Sequence, residues 1–115
     1  MSGYTDGRRV EYAVIEELQR NGYDTVRAAS SKGLADVVAI KAGQVLLVNC
    51  KRTKAPGPAE RADLLRIAAH LPGVGVPIVA IKPLGMKRPQ FWQLTGVGPK
   101  ERKPWFPCFT GGDAA

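Results

Sequence analysis

The feature of this sequence that most constrains its fold is a pair of apolar segments, residues 36–40 and 45–50, separated by only four residues. Both segments contain β-branched residues, which favour strands. The intervening residues are Lys-Ala-Gly-Gln, and a glycine at that place is typical of a tight turn between antiparallel strands. The sequence therefore predicts a β-hairpin in the middle of the chain.

An amphipathic helix is predicted before the hairpin. Asp6 can cap a helix that starts near Gly7, and Asn21-Gly22 is a typical helix end. Glu11 falls on the apolar stripe of this helix, at helical spacing. A carboxylate on a buried helix face needs a partner or a metal, because burying an unpaired charge is unfavourable. The apolar residues of the stripe are Val14, Ile15 and Leu18.

The remaining patterns predict three more strands and a second helix. The strands are residues 23–28, 76–82 and 91–94, and the helix is residues 59–71, with Leu64, Ala68 and Leu71 on one side. The order α-β-β-β-α-β-β predicts an α/β fold with a mixed five-stranded central sheet flanked by helices. The second helix would return the chain parallel to the third strand.

Composition indicates one domain and a polyanionic partner. We expect a domain over residues 1–95 and a tail over 96–115 rich in Pro, Gly and basic residues. The apolar segment 104–109 of that tail is expected to dock on its own domain or on a dimer partner. A formal charge of +7 favours nucleic acid, since each neutralised phosphate releases a counterion.

The sequence argues against a zinc site, a disulfide framework and a membrane span. Cys50 and Cys108 form no metal-ligand spacing, which argues against a zinc site and a disulfide framework. No stretch approaches the length of a membrane span, and the N-terminus has no apolar signal region. We therefore expect a cytoplasmic protein without a membrane partner.

The hairpin brings three polar side chains together. If Lys41 pairs with Gln44, counting outward places Asp36 opposite Asn49, on the same side of the sheet. Lys51 is two residues beyond Asn49 and points to that side as well. The sequence therefore predicts a carboxylate, an amide and an ammonium at one end of two apolar strands.

Such groups suit phosphodiester hydrolysis. Carboxylate and amide oxygens are hard ligands for Mg²⁺, which acidifies a bound water and neutralises transition-state charge. A nearby ammonium can orient the water or stabilise developing charge. Taken singly, Asp36 could make a strand-start hydrogen bond, Asn49 could cap a loop, and Lys51 could be a solvated strand end. Their shared side, with Glu11 above it, favours the metal site.

These residues resemble the PD-(D/E)XK nucleases and, within them, the archaeal Holliday junction resolvases of the Hjc type. The resemblance covers about residues 7–95. It rests on Glu11, residues 22–31, residues 35–39, residues 48–51 and the later segment 79–83, in the order of that family. The resemblance implies a restriction-endonuclease-like fold and a PD-(D/E)XK nuclease domain over residues 1–95.

The resemblance also implies roles for individual residues. Glu11, Asp36 and the position of Asn49 would bind Mg²⁺, or Mn²⁺ as a substitute, together with the backbone carbonyl of Cys50. Lys51 would be the catalytic lysine, and Ser31, rather than Ser30, would contact the scissile phosphate or a metal-bound water. Family members are homodimers that resolve four-way DNA junctions by paired nicks, which leave 5′-phosphates.

Asn49 departs from the family pattern, which usually has Glu at that position. Asn is neutral, so the metal site loses one charge, and metal affinity should fall. Two alternatives remain open: another PD-(D/E)XK nuclease, such as a VRR-NUC-like flap or repair enzyme, and a catalytically impaired protein that binds junctions without cutting them.

Lys32, Arg52 and Lys54 lie next to the predicted site and are the first candidates for phosphate contacts. The full set of predicted DNA-binding residues is Arg8, Arg9, Arg27, Ser30, Lys32, Arg52, Lys54, Lys87 and Arg88.

Overall fold

The structure is a computed structural model that describes residues 2–28, 35–53, 56–83 and 85–107, with side chains described from residue 9 onward. The described residues form one mixed sheet of six strands, in the spatial order β1-β2-β3-β4-β5-β6, with two helices. The elements are α1 (Ser2–Arg20), β1 (Asp24–Arg27), β2 (Val37–Lys41), β3 (Gln44–Lys51), α2 (Pro58–Ala69), β4 (Gly75–Ile81), β5 (Gln90–Leu94) and β6 (Arg102–Trp105).

The predicted hairpin forms β2 and β3. Lys41 pairs with Gln44, and the regular antiparallel register extends from there to Val37 opposite Val48. Gly43 has φ +73°, a backbone conformation that glycine adopts without strain, so the tight turn closes easily. After β3 the chain passes through α2 and returns as β4, parallel to β3, as predicted.

Each face of the sheet has its own core. Alternate residues of a strand point to opposite faces, so Val48 packs with α1 while Leu47 packs with α2. The α1-side core contains Val10, Val14, Leu18, Tyr23, Val37, Ala39, Leu46, Val48, Ile78, Ala80 and Phe91. The α2-side core contains Ala35, Leu47, Leu64, Ala68, Val79 and Leu94.

The mixed α/β class is confirmed, but the strand count of five is wrong. Arg102–Trp105 forms a sixth strand that pairs antiparallel with β5. The sequence pattern did not indicate this strand because it contains Pro104, which has no backbone N–H to donate to a neighbouring strand. Proline is tolerated in an edge strand, where one side of the backbone has no neighbouring strand. Trp105 is partly buried against the α1-side core, with its ring 5.6 Å from that of Phe91. The first part of the expected tail therefore docks on its own domain.

Both helices differ from their predicted bounds. The first helix begins at Ser2 rather than near Gly7, so Asp6 lies inside it and does not cap it. Once a helix has formed, each added residue contributes another hydrogen bond, which favours extension beyond the apolar pattern. The second helix ends at Ala69, so Leu71 lies beyond it and is exposed. Within the described ranges, no helix is long and apolar enough to cross a membrane.

Candidate active site

Three of the predicted site residues, Asp36, Asn49 and Lys51, lie at one end of the sheet, called here the site edge, where β2 begins and β3 and β4 end. Asp36 directly precedes β2, and Lys51 is the last residue of β3. Lys51 pairs with Ile81 at the end of β4, and the Lys51 carbonyl accepts a hydrogen bond of 3.0 Å from the backbone N–H of Lys82. The backbone of the site edge is therefore held by the sheet on both sides of β3.

Asp36 lies in a bend just outside the regular pairing. Its backbone N–H donates to the carbonyl of Val48 at 2.8 Å, and its carboxylate Oδ2 accepts the backbone N–H of Cys50 at 2.8 Å. The predicted register holds as far as the pair of Val37 and Val48. Asp36, which was predicted to lie opposite Asn49, leaves the regular pairing at this point, and its carboxylate turns towards Cys50. The strand-start hydrogen bond is present, and it places the carboxylate over the end of β3.

The electrostatic surroundings of Asp36 favour a cation. Burial raises the pKa of the Asp36 carboxyl above its usual 3.8, although the hydrogen bond from the Cys50 N–H opposes the rise. The negative charges of Glu11 and Glu60 raise this pKa further, whereas the positive charge of Lys51 lowers it. A bound cation would relieve the same repulsion, because an opposite charge stabilises the ionised form.

Asn49 and Lys51 lie on the α2 side of β3. Asn49 is 7% exposed and is one of three buried polar or charged residues in the described part of the chain. The Lys51 ammonium lies 3.0 Å from Oε2 of Glu60, in the first turn of α2. Sequence reasoning missed Glu60. Its signal is local, because Glu60 occupies the third helical position after Gly57-Pro58, where a glutamate can cap a helix.

Glu11 approaches the site edge from α1, on the other side of the sheet. Its carboxylate lies 2.7 Å from Nε of Arg27, the last residue of β1. The partner expected for a half-buried carboxylate is therefore an arginine in this structure. Arg27, predicted to contact DNA, is engaged in this pair and also stacks over the ring of Tyr12 at 5.4 Å.

Cys50 contributes its backbone to the site and its side chain to the core. Its side chain is partly buried against the α1-side core. Burial raises the pKa of the Cys50 thiol well above its ordinary value, and the charges of Asp36 and Glu11 add to the effect. This direction disfavours the thiolate, which is the reactive form of cysteine.

The donor set fits a hard divalent cation only in part. Asp36, the Asn49 amide and the Cys50 carbonyl carry the oxygen atoms that could hold the ion, and oxygen is the donor that Mg²⁺ prefers. Among the described residues, however, no group of three or more His, Cys, Asp and Glu side chains is close enough to hold a metal ion. This agrees with the neutral residue at position 49, because a carboxylate there would supply the missing acidic ligand.

The predicted DNA-binding residues are placed unevenly. Arg9, Arg52 and Lys87 are exposed. Arg88 is exposed too, and its Nε lies 3.7 Å from the carboxylate of Glu17 on α1. The loop that carries Lys87 and Arg88 follows β4 directly and so begins at the site edge. The other predicted residues, namely Ser30, Ser31, Lys32, Lys54 and the side chain of Arg8, lie outside the described part of the chain.

A mixed sheet with Asp36 and Lys51 at the ends of neighbouring strands, and a helix on each face, agrees with what the resemblance to the PD-(D/E)XK nucleases implies. The family model of the archaeal Holliday junction resolvases, Hjc, matches residues 2–92. The chain belongs to this family of junction-resolving nucleases.

The fold agrees with a solved member of the family. Hjc from Archaeoglobus fulgidus, described as a Holliday junction resolvase from an archaeal hyperthermophile, superposes on this structure with a TM-score of 0.66. The two sequences are 20% identical, and the match covers 87% of this chain and 88% of the other. No curated protein sequence matches the chain.

Proposed function

We propose that this protein is a Mg²⁺-dependent endonuclease that resolves four-way DNA junctions as a homodimer, by paired nicks that leave 5′-phosphates. The observation that carries the proposal is the site edge of this family member, where a half-buried Asp36 carboxylate and the Lys51 ammonium lie at the ends of adjacent strands. A carboxylate and an ammonium at the ends of adjacent strands can act on the same phosphodiester group.

The residues of the site edge divide the chemistry between them. Asp36, Asn49 and the Cys50 carbonyl would hold the metal, with Glu11 reaching it from α1. When bound, Mg²⁺ supplies a more acidic water and neutralises charge on the phosphoryl group. Lys51 would orient the attacking water and stabilise the negative charge that develops on the phosphate oxygens. Ser31 would contact the scissile phosphate.

Positive charge would bind the DNA backbone around this centre. The net charge of +7 and the exposed Arg52 and Lys87 support binding to phosphates. A homodimer would place two equivalent site edges on one substrate, so each copy would cut one of two opposed strands. The two-fold symmetry of such a dimer suits the near-symmetric arms of a four-way junction.

One observation favours a second candidate function. Because Asn49 is neutral, the site has one carboxylate fewer than the family pattern, which favours a protein that binds junctions but cuts them poorly. Cleavage with Mg²⁺ and with Mn²⁺ separates the two candidates. If this chain binds a junction without cutting it and the Asn49→Glu variant cuts it, the second candidate is correct.

The test of the first candidate is a cleavage assay on an end-labelled four-way junction, beside linear duplex and flap substrates. We expect symmetric nicks in the junction alone, and a dimeric mass by light scattering. Asp36→Ala and Lys51→Ala should each lower cleavage by at least about 100-fold while junction binding persists. Asp63→Asn, which removes a charge from α2 at a residue paired with Arg66, is the control. Normal cutting by either site variant would refute the proposed centre.

A further inference from the structure

We propose that Glu60 is a positioning residue for Lys51. In this proposal the first turn of α2 holds the Lys51 ammonium at the site edge, so that β3 alone does not set its place. The proposal rests on the proposed function of Lys51 in cleavage. Its basis is the direct contact of 3.0 Å between Nζ of Lys51 and Oε2 of Glu60, two residues from different elements of the fold.

Glu60 is itself held by the backbone. Its other carboxylate oxygen, Oε1, accepts the backbone N–H of Gly57 at 3.1 Å, which is the glutamate half of a capping box at the start of α2. The two contacts use different oxygens, so Lys51 and the helix cap do not compete. These contacts, with the positive charge of Lys51, also hold the pKa of the Glu60 carboxyl below its usual value, so the group stays ionised near neutral pH.

The start of α2 is anchored to the rest of the domain. Arg61, the residue after Glu60, is 9% exposed, and its guanidinium donates to the carbonyls of Pro56 and Val97. One of these carbonyls precedes α2 and the other follows β5. Glu60 therefore projects from a fixed helix end, and the residue it contacts projects from a fixed strand end.

Lys51 needs such a partner because its side chain is long. Its backbone is fixed by pairing with Ile81, but four methylene groups separate this backbone from the ammonium. An ammonium has three N–H donors, so a contact with Glu60 leaves two for a phosphate or a water. Glu60 thus restricts the position of the Lys51 ammonium without using all of its N–H donors.

An incidental surface ion pair makes different predictions. The Lys51 and Glu60 side chains are 31% and 51% exposed, and such pairs usually contribute little to stability. Stability is therefore a poor readout for this contact. Cleavage rate and the chemical reactivity of the Lys51 amine respond directly to where the ammonium is held.

The test compares Glu60→Gln with Asp63→Asn. Glutamine retains an oxygen that can accept the Gly57 N–H but loses the charge that holds Lys51. Asp63, on the same helix, pairs with Arg66 at 3.5 Å, so its variant removes the same charge away from the site. Three quantities are measured: single-turnover cleavage of a four-way junction, junction binding without metal, and acylation of Lys51 by an amine-reactive ester, followed by peptide mass spectrometry without DNA or metal.

We expect Glu60→Gln to lower the cleavage rate about fivefold and to raise the acylation rate of Lys51 about threefold, with unchanged junction binding. Asp63→Asn should change none of these. Unchanged acylation, unchanged cleavage, or equal effects in the two variants would overturn the proposal. If the unmodified chain does not cut junctions, the proposed function fails, and the acylation rate alone then decides whether Glu60 holds Lys51. A weaker Mg²⁺ affinity with unchanged acylation would instead make Glu60 a metal ligand and overturn its positioning role.

Discussion

Replacing Asn49 by Glu tests the charge balance of the site edge. Asn49 is buried and directly follows Val48, whose carbonyl accepts the backbone N–H of Asp36, so a carboxylate at position 49 would lie near that of Asp36, at a separation on the order of 5 Å, the spacing of side chains on adjacent strands. Two unit charges at this separation repel by about 3 kcal/mol at an effective dielectric constant of about 20. Protonation relieves part of this repulsion, so we expect the metal-free variant to be about 1–3 kcal/mol less stable at neutral pH.

The same added charge should attract a divalent cation. A carboxylate at position 49 would add an acidic ligand to a site where the described residues form no group of three or more such ligands. Binding of the ion would also relieve the repulsion between the two carboxylates. We expect the affinity for Mg²⁺ to rise by about tenfold to 100-fold, which corresponds to roughly 1.4–2.8 kcal/mol. Cleavage of a four-way junction should then saturate at a lower Mg²⁺ concentration.

Calorimetric titration with Mg²⁺ and Mn²⁺ measures the affinity, and urea unfolding without metal measures the stability. Asn49→Gln is the control, because it has the length of glutamate and no charge; overpacking of the buried position should affect both variants alike. The reasoning is refuted if Asn49→Glu binds metal no more tightly than Asn49→Gln. It is also refuted if the two variants lose the same stability at neutral pH.

Two further predictions concern stability. Burial, together with the charges of Glu11 and Glu60, raises the pKa of Asp36 above 3.8, so the native state holds this proton more tightly than the unfolded state. Stability from this group is therefore lost as pH rises through the raised pKa, and Asp36→Asn should be more stable than the unmodified chain at pH 7 but not near about pH 3; an equal gain in urea unfolding at both pH values would contradict this. Trp105→Ala should destabilise the domain by about 2–4 kcal/mol, since a large ring leaves the α1-side core, whereas Phe106→Ala, at a side chain 79% exposed, should change it by less than about 0.5 kcal/mol. Similar unfolding midpoints for these two variants would show that β6 is not part of the folded core.

The hairpin and the parallel return through α2 could be predicted because their signals are local. In a two-residue hairpin the turn sets the register, and one glycine with positive φ was enough to place Lys41 opposite Gln44. The same count brought Asp36, Asn49 and Lys51 to one end of the sheet. A strand alternates its faces residue by residue, so each step of that count is determined by neighbours in the chain.

The electrostatic partners of the site depended on tertiary structure. Glu60 and Lys51 are nine residues apart, and Arg27 and Glu11 are sixteen apart, so each pair exists only because separate elements are packed together. The bend at Asp36 and the edge strand with Pro104 depend in the same way on a neighbouring strand. Charge and hydrogen-bond contacts act through space, and a linear pattern carries no distance between residues on different elements. The sequence alone therefore predicts that Asp36, Asn49 and Lys51 lie at one end of the sheet, and the packing of α1 and α2 against the sheet decides which charges each of them meets.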